Sequence, residues 1–440
     1  MTLAERAVRI FVVVALASPA VLLTLLASGS VARRPLAERT VARLTSVAVT
    51  TCVAALAMAL VTYEGASQEP HTWPVGSWFA TEDGAQLALL VDAWALTFAL
   101  AAAVICGTVA AFSYRYLHRE RGFVRYFVLY ACFVLGVQLV AFAGSVEVLF
   151  AGWELTGLSS SLLVAFFHER RAPVANAMRV YAIYRVSDGA MLIAAVLIHH
   201  LVGSGSLSTL FRVGATEALA TRSGAEISAI ALFFLLAVAC KSGLVPFSGW
   251  LPRAMEGPTP SSAVYYGALS VHAGCYLLWR AGPLIQTSVL AQALVVIAGA
   301  ATAALAALSA RVQTNVKSAL SYATLTQVGV IVVEIGLGLR TLAFIHLLGN
   351  ACLRLFQFLT APNVLEDLRG LEGAGDARTG RRSLLYVLAL EQGGLDALLD
   401  GIIVRPFIAL ARKGQEVDER LAGERPLGEE RAERSARSCR

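Results

Sequence analysis

Seven polar side chains lie in apolar stretches where polarity is costly, and their types are those that carry protons. Lys241 closes the run ALFFLLAVACKSG, and no other charge follows it until Arg253. A cation at bilayer depth is expensive unless it is paired, hydrated or able to give up its proton. Glu154 lies in a similar run, VEVLFAGWELTGLSSSLLVAFF, followed by Thr156 and Ser159–Ser161. Its bland role is a structural ion pair, with Lys241 itself as one candidate partner. An ion pair whose strength changes is also a way to release a proton. Arg185 and Asp188 are spaced i, i+3, on one face of a helix. They read equally as a local ion pair or as part of a relay. His272 sits well inside a third apolar run, and histidine titrates near neutral pH. Tyr265, Tyr266 and His272 could together extend a hydrogen-bonded path. Lys317 precedes a polar series, Ser318, Ser321, Tyr322, Thr324, Thr326 and Gln327, with Glu334 placed at the far interface. His346, Asn350 and Arg354 are four apart and share a helix face.

These residues need helices to hold them inside a membrane. Of 440 residues, 57% are hydrophobic and 15% charged, well below the roughly 25% charged typical of soluble domains. About eleven stretches approach the roughly 20 apolar residues that cross a bilayer: 8–28, 42–63, 91–113, 124–143, 146–167, 178–202, 227–248, 261–280, 286–309, 317–338 and 341–361. The first is longer than a signal-peptide core and precedes RRPLAER, so it reads as a retained helix. Arginine and lysine concentrate in alternate loops, which puts those loops and the C-terminus on the cytoplasmic side and the N-terminus outside. Gly243, Pro246, Gly249 and Pro252 follow Lys241 and predict a break in span seven. Broken helices at membrane depth survive only against protein or water, and they recur at the midplane ion sites of transporters. The bland alternative for Lys241 is snorkelling to the interface. The fold class is therefore an all-α polytopic membrane protein of about eleven spans, with a broken helix at span seven. Residues 362–382 read as a polar loop, 383–410 as an interfacial or partner-docking amphipathic helix pair, and 413–440 as a solvated, partly disordered tail.

The sequence excludes several chemistries. Seven cysteines are scattered without CxxC or Cys/His spacing, so neither a metal nor a disulfide framework is indicated. No nucleotide, haem or flavin motif occurs, and no cofactor is expected. The net charge of +6 is modest and calls for no nucleic acid.

Four segments carry a family resemblance: FAGWELTGLSSSLLVAFF, YRVSDGAML, CKSGLVPFSGWLPRAMEGPTPSSAV and VQTNVKSALSYATLTQVGV. In order and spacing they resemble the antiporter-like proton-translocating subunits of respiratory complex I and the Mrp antiporters, over residues 88–360. The resemblance implies an N-terminal helical part and external loop at 1–87, a translocating membrane domain at 88–361, and a cytoplasmic loop, amphipathic segment and tail at 362–440. It puts the family's broken-helix lysine on Lys241 and its glutamate partner on Glu154. The Arg-Val-x-Asp motif falls on Arg185 and Asp188, with further proton carriers at Lys317 and His346. Such residues form a hydrated line along the midplane in these complexes, and His272 joins them in this chain.

This chain departs from the pattern in places. Tyr266 stands where a histidine is usual, and Asn350 and Arg354 replace a histidine and a lysine. The second broken helix and the lateral helix of the family are not evident after Thr360. The resemblance implies a proton-translocating subunit of a complex I-like NADH-quinone oxidoreductase in the cell inner (plasma) membrane, with other membrane subunits as partners. The alternatives are a cation/proton antiporter subunit, with sodium as the other ion, and the membrane subunit of a two-part inorganic-carbon (bicarbonate/CO2) uptake pump with one large soluble partner. A purely structural anchor is disfavoured by the retained Glu154 and Lys241.

Overall fold

The computed structural model describes residues 2–33, 36–65, 70–77, 86–211, 224–361 and 384–421. Nearly all of them are helical, and ten of their helices are long and apolar enough to cross a membrane. The chain is an all-α polytopic membrane protein. In chain order the main helices are α1 (Leu3–Val31), α2 (Glu38–Glu64), α3 (Ala93–Tyr116), α4 (Phe123–Ala141), α5 (Val146–Val164), α6 (Arg171–Val202), α7 (Gly224–Ser242) with its short continuation α8 (Trp250–Arg253), the shorter α9 (Ser270–Arg280), α10 (Val289–Ala310), α11 (Val316–Gly336) and α12 (Arg340–Thr360). The N-terminus of α1 is set by a capping box: the Thr2 hydroxyl accepts from the Glu5 amide at 3.2 Å, and the Glu5 carboxylate accepts from the Thr2 amide at 3.0 Å.

The expected eighth span, 261–280, is helical but irregular, and this accounts for ten regular spans where eleven were expected. Ser262–Leu269 winds as a π-helix before α9 begins, so neither piece reaches spanning length alone. All residues from 257 to 285 are buried, which makes this the central element of the bundle. The loop between α2 and α3 carries the strands among the described residues. His71–Ser77 and Gln86–Val91 pair as an antiparallel hairpin. Its Leu90 and Ala88 bond the α4–α5 connection (Leu90 N–H to Phe142 O, 2.9 Å; Gly144 N–H to Ala88 O, 3.0 Å), which in turn bonds the turn after α6 at Gly205 and Leu207.

The predicted break in α7 is present. Gly243 adopts φ +70°, a left-handed conformation that glycine takes without strain. The backbone groups freed by the break find partners. Val245 N–H donates to Thr302 Oγ1 of α10 at 2.9 Å, and the indole of Trp250 donates to the Cys240 carbonyl at 3.0 Å. Ser242 Oγ donates to Val271 O of α9 at 2.6 Å, an approach that needs Gly274, because a Cβ there would lie 2.1 Å from that hydroxyl. Thr302→Val, which keeps the shape and removes the acceptor, is expected to cost about 1 kcal/mol, read as a lower melting temperature in detergent.

The C-terminal segment is not a free pair of helices awaiting a partner. α13 (Leu384–Glu391) ends in a left-handed turn at Gln392–Gly394 and continues through Leu395–Leu399 to α14 (Arg405–Leu421). It docks on the chain's own membrane part. Ser309 Oγ donates to Ala389 O at 2.7 Å, Ser248 Oγ to Gln392 Oε1 at 2.8 Å, and the Gln392 amide to the Tyr322 hydroxyl. Arg253 pairs with Asp396 at 2.9 Å, and Arg179 pairs with Asp400. α14 has no buried residue, and it carries residues 413–421 of the expected tail as helix. The loop at 362–382 and the tail beyond 421 lie outside the described residues.

Burial raises the Asp396 carboxyl above the usual carboxylate range, more than Arg253 lowers it. The docked segment therefore binds a proton more tightly than the free one. Docking is strongest below the ordinary carboxylate pKa and weakens as pH rises through the raised value. Hydrogen–deuterium exchange over 384–399, corrected for its intrinsic pH dependence, is expected to show greater protection at about pH 4 than at about pH 7. Asp396→Asn should flatten that difference.

Candidate functional site

Lys241, Glu154 and Arg185 each lie near the middle of their spans, and α6 packs against both α5 and α7. Lys241 is fully buried. Its ammonium donates to the Trp153 carbonyl at 2.8 Å and lies 4.9 Å from the Trp153 ring centre and 4.7 Å from that of Tyr184. Gly157 leaves room for it, since a Cβ at that position would stand 2.8 Å from Nζ. The snorkelling alternative therefore fails.

Glu154 pairs with Arg185, not with Lys241. The guanidinium holds both carboxylate oxygens, at 2.8 and 3.2 Å, and reaches Asp188 at 2.8 Å. The Asp188 contact is out of line for a hydrogen bond and acts as charge on charge. One arginine thus holds two carboxylates across the α5–α6 seam. Among the described residues no carboxylate forms an ion pair with Lys241. Asp188 and Glu154 act on it only through space. The frame around the cluster is rigid: the Trp153 indole donates to Ser187 Oγ at 3.0 Å, and Ser187 donates to the Ala237 carbonyl of α7 at 2.8 Å.

The hydroxyls after Glu154 find acceptors within their own helix. Thr156, Ser159, Ser160 and Ser161 donate to carbonyls of their own helix at 2.6–3.0 Å. Ser321, Thr324 and Thr326 do the same on α11 at 2.7–2.9 Å. Tyr265, Tyr266 and His272 do not form one path either. Tyr266 donates to the Ser160 carbonyl at 3.0 Å, while His272 turns the other way, its Nε2 2.9 Å from the side-chain amide of Asn350.

His346, Asn350 and Arg354 do share one face of α12. His346 lies 3.0 Å from Glu334 Oε1 through Nδ1 and 3.0 Å from Gln327 Oε1 through Nε2. Glu334 is therefore an internal partner, contrary to its interfacial placement. Lys317 stands apart in the first turn of α11, partly exposed, and makes no hydrogen bond or ion pair to the other six residues. The structure thus forms two groups: Lys241 with Glu154, Arg185 and Asp188, and His272 with the α12 face.

Sequence reasoning missed two further pairs. Arg280 and Asp92 are both buried and 2.6 Å apart, and Asp92 also caps α3 by accepting from the Ala95 amide at 2.7 Å. An aspartate just before an apolar run was the available signal. Glu147, in the first turn of α5, pairs with His199 near the end of α6 at 2.8 Å.

Residues 143–376 match the family described as "NADH:quinone oxidoreductase/Mrp antiporter, TM", and residues 78–127 match "NADH-Ubiquinone oxidoreductase (complex I), chain 5 N-terminus". NADH-quinone oxidoreductase subunit L of Mycobacterium tuberculosis is 31% identical over 303 residues, 68% of this chain and 46% of that protein. NADH-ubiquinone oxidoreductase chain 5 of Yarrowia lipolytica is 30% identical over 68% of this chain and 44% of its own length. The chain spans about half the length of these relatives. Among solved structures, a chain of the Mrp complex from Dietzia sp. superposes with a TM-score of 0.65 at 26% identity, over 88% of this chain and 40% of that one. A chain of an archaeal membrane-bound sulfane sulfur reductase reaches 0.68 over 88% of this chain and 77% of its own, and at 19% identity shares the fold.

Proposed function

This chain belongs to the NADH:quinone oxidoreductase/Mrp antiporter family of membrane subunits, and from that premise we propose that it moves protons as a translocating subunit of a complex I-like assembly in the plasma membrane. The observation that carries this reading is the placement of Lys241. It is a fully buried amine at a helix break, held by a carbonyl and two aromatic rings, beside but not paired with an Arg185–Glu154–Asp188 cluster. A structural cation would be neutralised by a carboxylate contact. A carrier needs a partner that attracts it without holding it fast. Glu154 is the gating counter-ion, because any loosening of Arg185 leaves its charge free to act on Lys241.

The same cluster supports partner subunits. Glu154 and Arg185 keep 27% and 31% of their side chains exposed, on a face that also carries Leu158, Leu192 and Val196. An ion pair facing hydrocarbon is costly, and a neighbouring membrane subunit over α5 and α6 removes that cost. His272, Lys317 and His346 are further proton carriers in this reading, His346 on a branch that does not run through His272, and protons, with sodium as the alternative, are the cargo.

The test is Glu154→Gln in the assembled complex, reconstituted in vesicles with an internal pH dye. Proton uptake should fall at least several-fold while the complex still assembles. Unchanged uptake would remove Glu154 from the path.

A further inference from the structure

The direction of hydrogen bonding around His272 is fixed by a residue that can only donate. Arg354 is buried and gives its three nitrogens to separate acceptors: Nε to Asn350 Oδ1 at 3.3 Å, one terminal nitrogen to Gln357 Oε1 at 2.6 Å and the other to the Ala323 carbonyl at 3.0 Å. A guanidinium has no acceptor and does not deprotonate. The oxygen of the Asn350 amide must therefore face Arg354, and its NH2 must face His272. His272 Nε2 receives that NH2 at 2.9 Å, so it presents its lone pair there. The imidazole proton sits on Nδ1, which faces the backbone of its own helix near Ala268 without a well-formed hydrogen bond.

We propose that Asn350 and Arg354 form a latch that fixes the tautomer of His272 and blocks proton transfer between His272 and the pair formed by His346, one turn from Asn350 on α12, and Glu334 of α11. A carboxamide neither takes up nor releases a proton at ordinary pH, so nothing passes through Asn350. Protonating Nε2 requires the amide to turn, which would set its NH2 against the guanidinium and break both bonds at once. Hydrogen bonds run one way only, from Arg354 through Asn350 to His272. His272 therefore exchanges its proton only on its Nδ1 side, and the α11–α12 titratable pair is insulated from it. Asn350 and Arg354 are positioning residues in this scheme.

The inference rests on the proposed proton path only for its functional arm; the tautomer is a separate observable. The full chain, labelled with 15N-histidine in lipid bilayers, is examined by solid-state NMR, with His272 assigned by its loss in His272→Gln. The wild type should show the Nδ1–H tautomer. Asn350→Asp supplies an acceptor in the same volume and should put the proton on Nε2. Asn350→Leu should give a mixture. An Nε2–H tautomer in the wild type, or one tautomer shared by the wild type and Asn350→Asp, overturns the latch. For the block itself, Asn350→His should raise passive proton leak into vesicles several-fold, and Asn350→Leu should not. Equal leak in wild type and Asn350→His overturns the block. If the tautomers shift as described but Lys241→Met keeps full proton uptake, the latch stands and the proposed function falls.

Discussion

An Arg185→Leu chain is expected to lose about 3 kcal/mol of stability, the low end of the cost of breaking a buried pair from one side, because Arg185 and Glu154 are only partly buried within the chain. The variant leaves Glu154 and Asp188 facing each other near mid-membrane with nothing between them. Two like charges at close range repel strongly. The expected phenotype is low accumulation in the membrane and an early melt in detergent. A double variant, Glu154→Gln with Arg185→Gln, removes one charge of each sign, lets the two new amides bond each other, and leaves Asp188 as the single carboxylate of the cluster. It should recover most of the lost stability while proton uptake stays low. Full stability in Arg185→Leu would mean that the cluster is hydrated from outside and that α5 and α6 face water.

Lys241→Met is expected to reverse the usual link between stability and activity. The substitution fills the same volume and removes a buried cation that no carboxylate neutralises. Replacing buried charge by a well-packed apolar group is often neutral or stabilising, so the variant should melt no earlier than the wild type. Proton uptake should nevertheless fall by about 100-fold or more, the lower end of what a positioned acid–base group contributes. A stable, assembled and inactive variant separates a carrier from a structural residue. Equal losses of melting temperature and uptake would instead mark Lys241 as a packing residue.

Lys241 was legible because its cost is local. A lysine deep in an apolar run, followed by Gly243 and Pro246, declares both the charge and the break. What the sequence did not reveal is register. Arg185 and Asp188 at i, i+3 fixed a shared face on α6, but nothing in the spacing of α5 said that Glu154 would meet that arginine, not Lys241. The same gap hid Glu334–His346 and the Asp92–Arg280 pair, whose members are 12 and 188 positions apart. The serine and threonine faces are ambiguous in sequence for a different reason. A hydroxyl on a membrane helix finds its nearest acceptor one turn back in its own backbone, so polarity in the sequence need not mean water in the fold. The eighth span was recognised by composition, while its π winding, which carries no compositional mark, was not. The C-terminal segment was read as amphipathic, and its partner turned out to be the broken helix itself, through Ser248 and Arg253.

The central claim is that Lys241 gives up and regains a proton in each cycle. It is tested most directly by counting protons moved per quinone reduced, in one vesicle preparation carrying the assembled complex with either Lys241 or Lys241→Met. The account predicts a lower ratio for the variant, with protons lost from the cycle while assembly and insertion are intact. An unchanged ratio in a fully assembled Lys241→Met complex would contradict it.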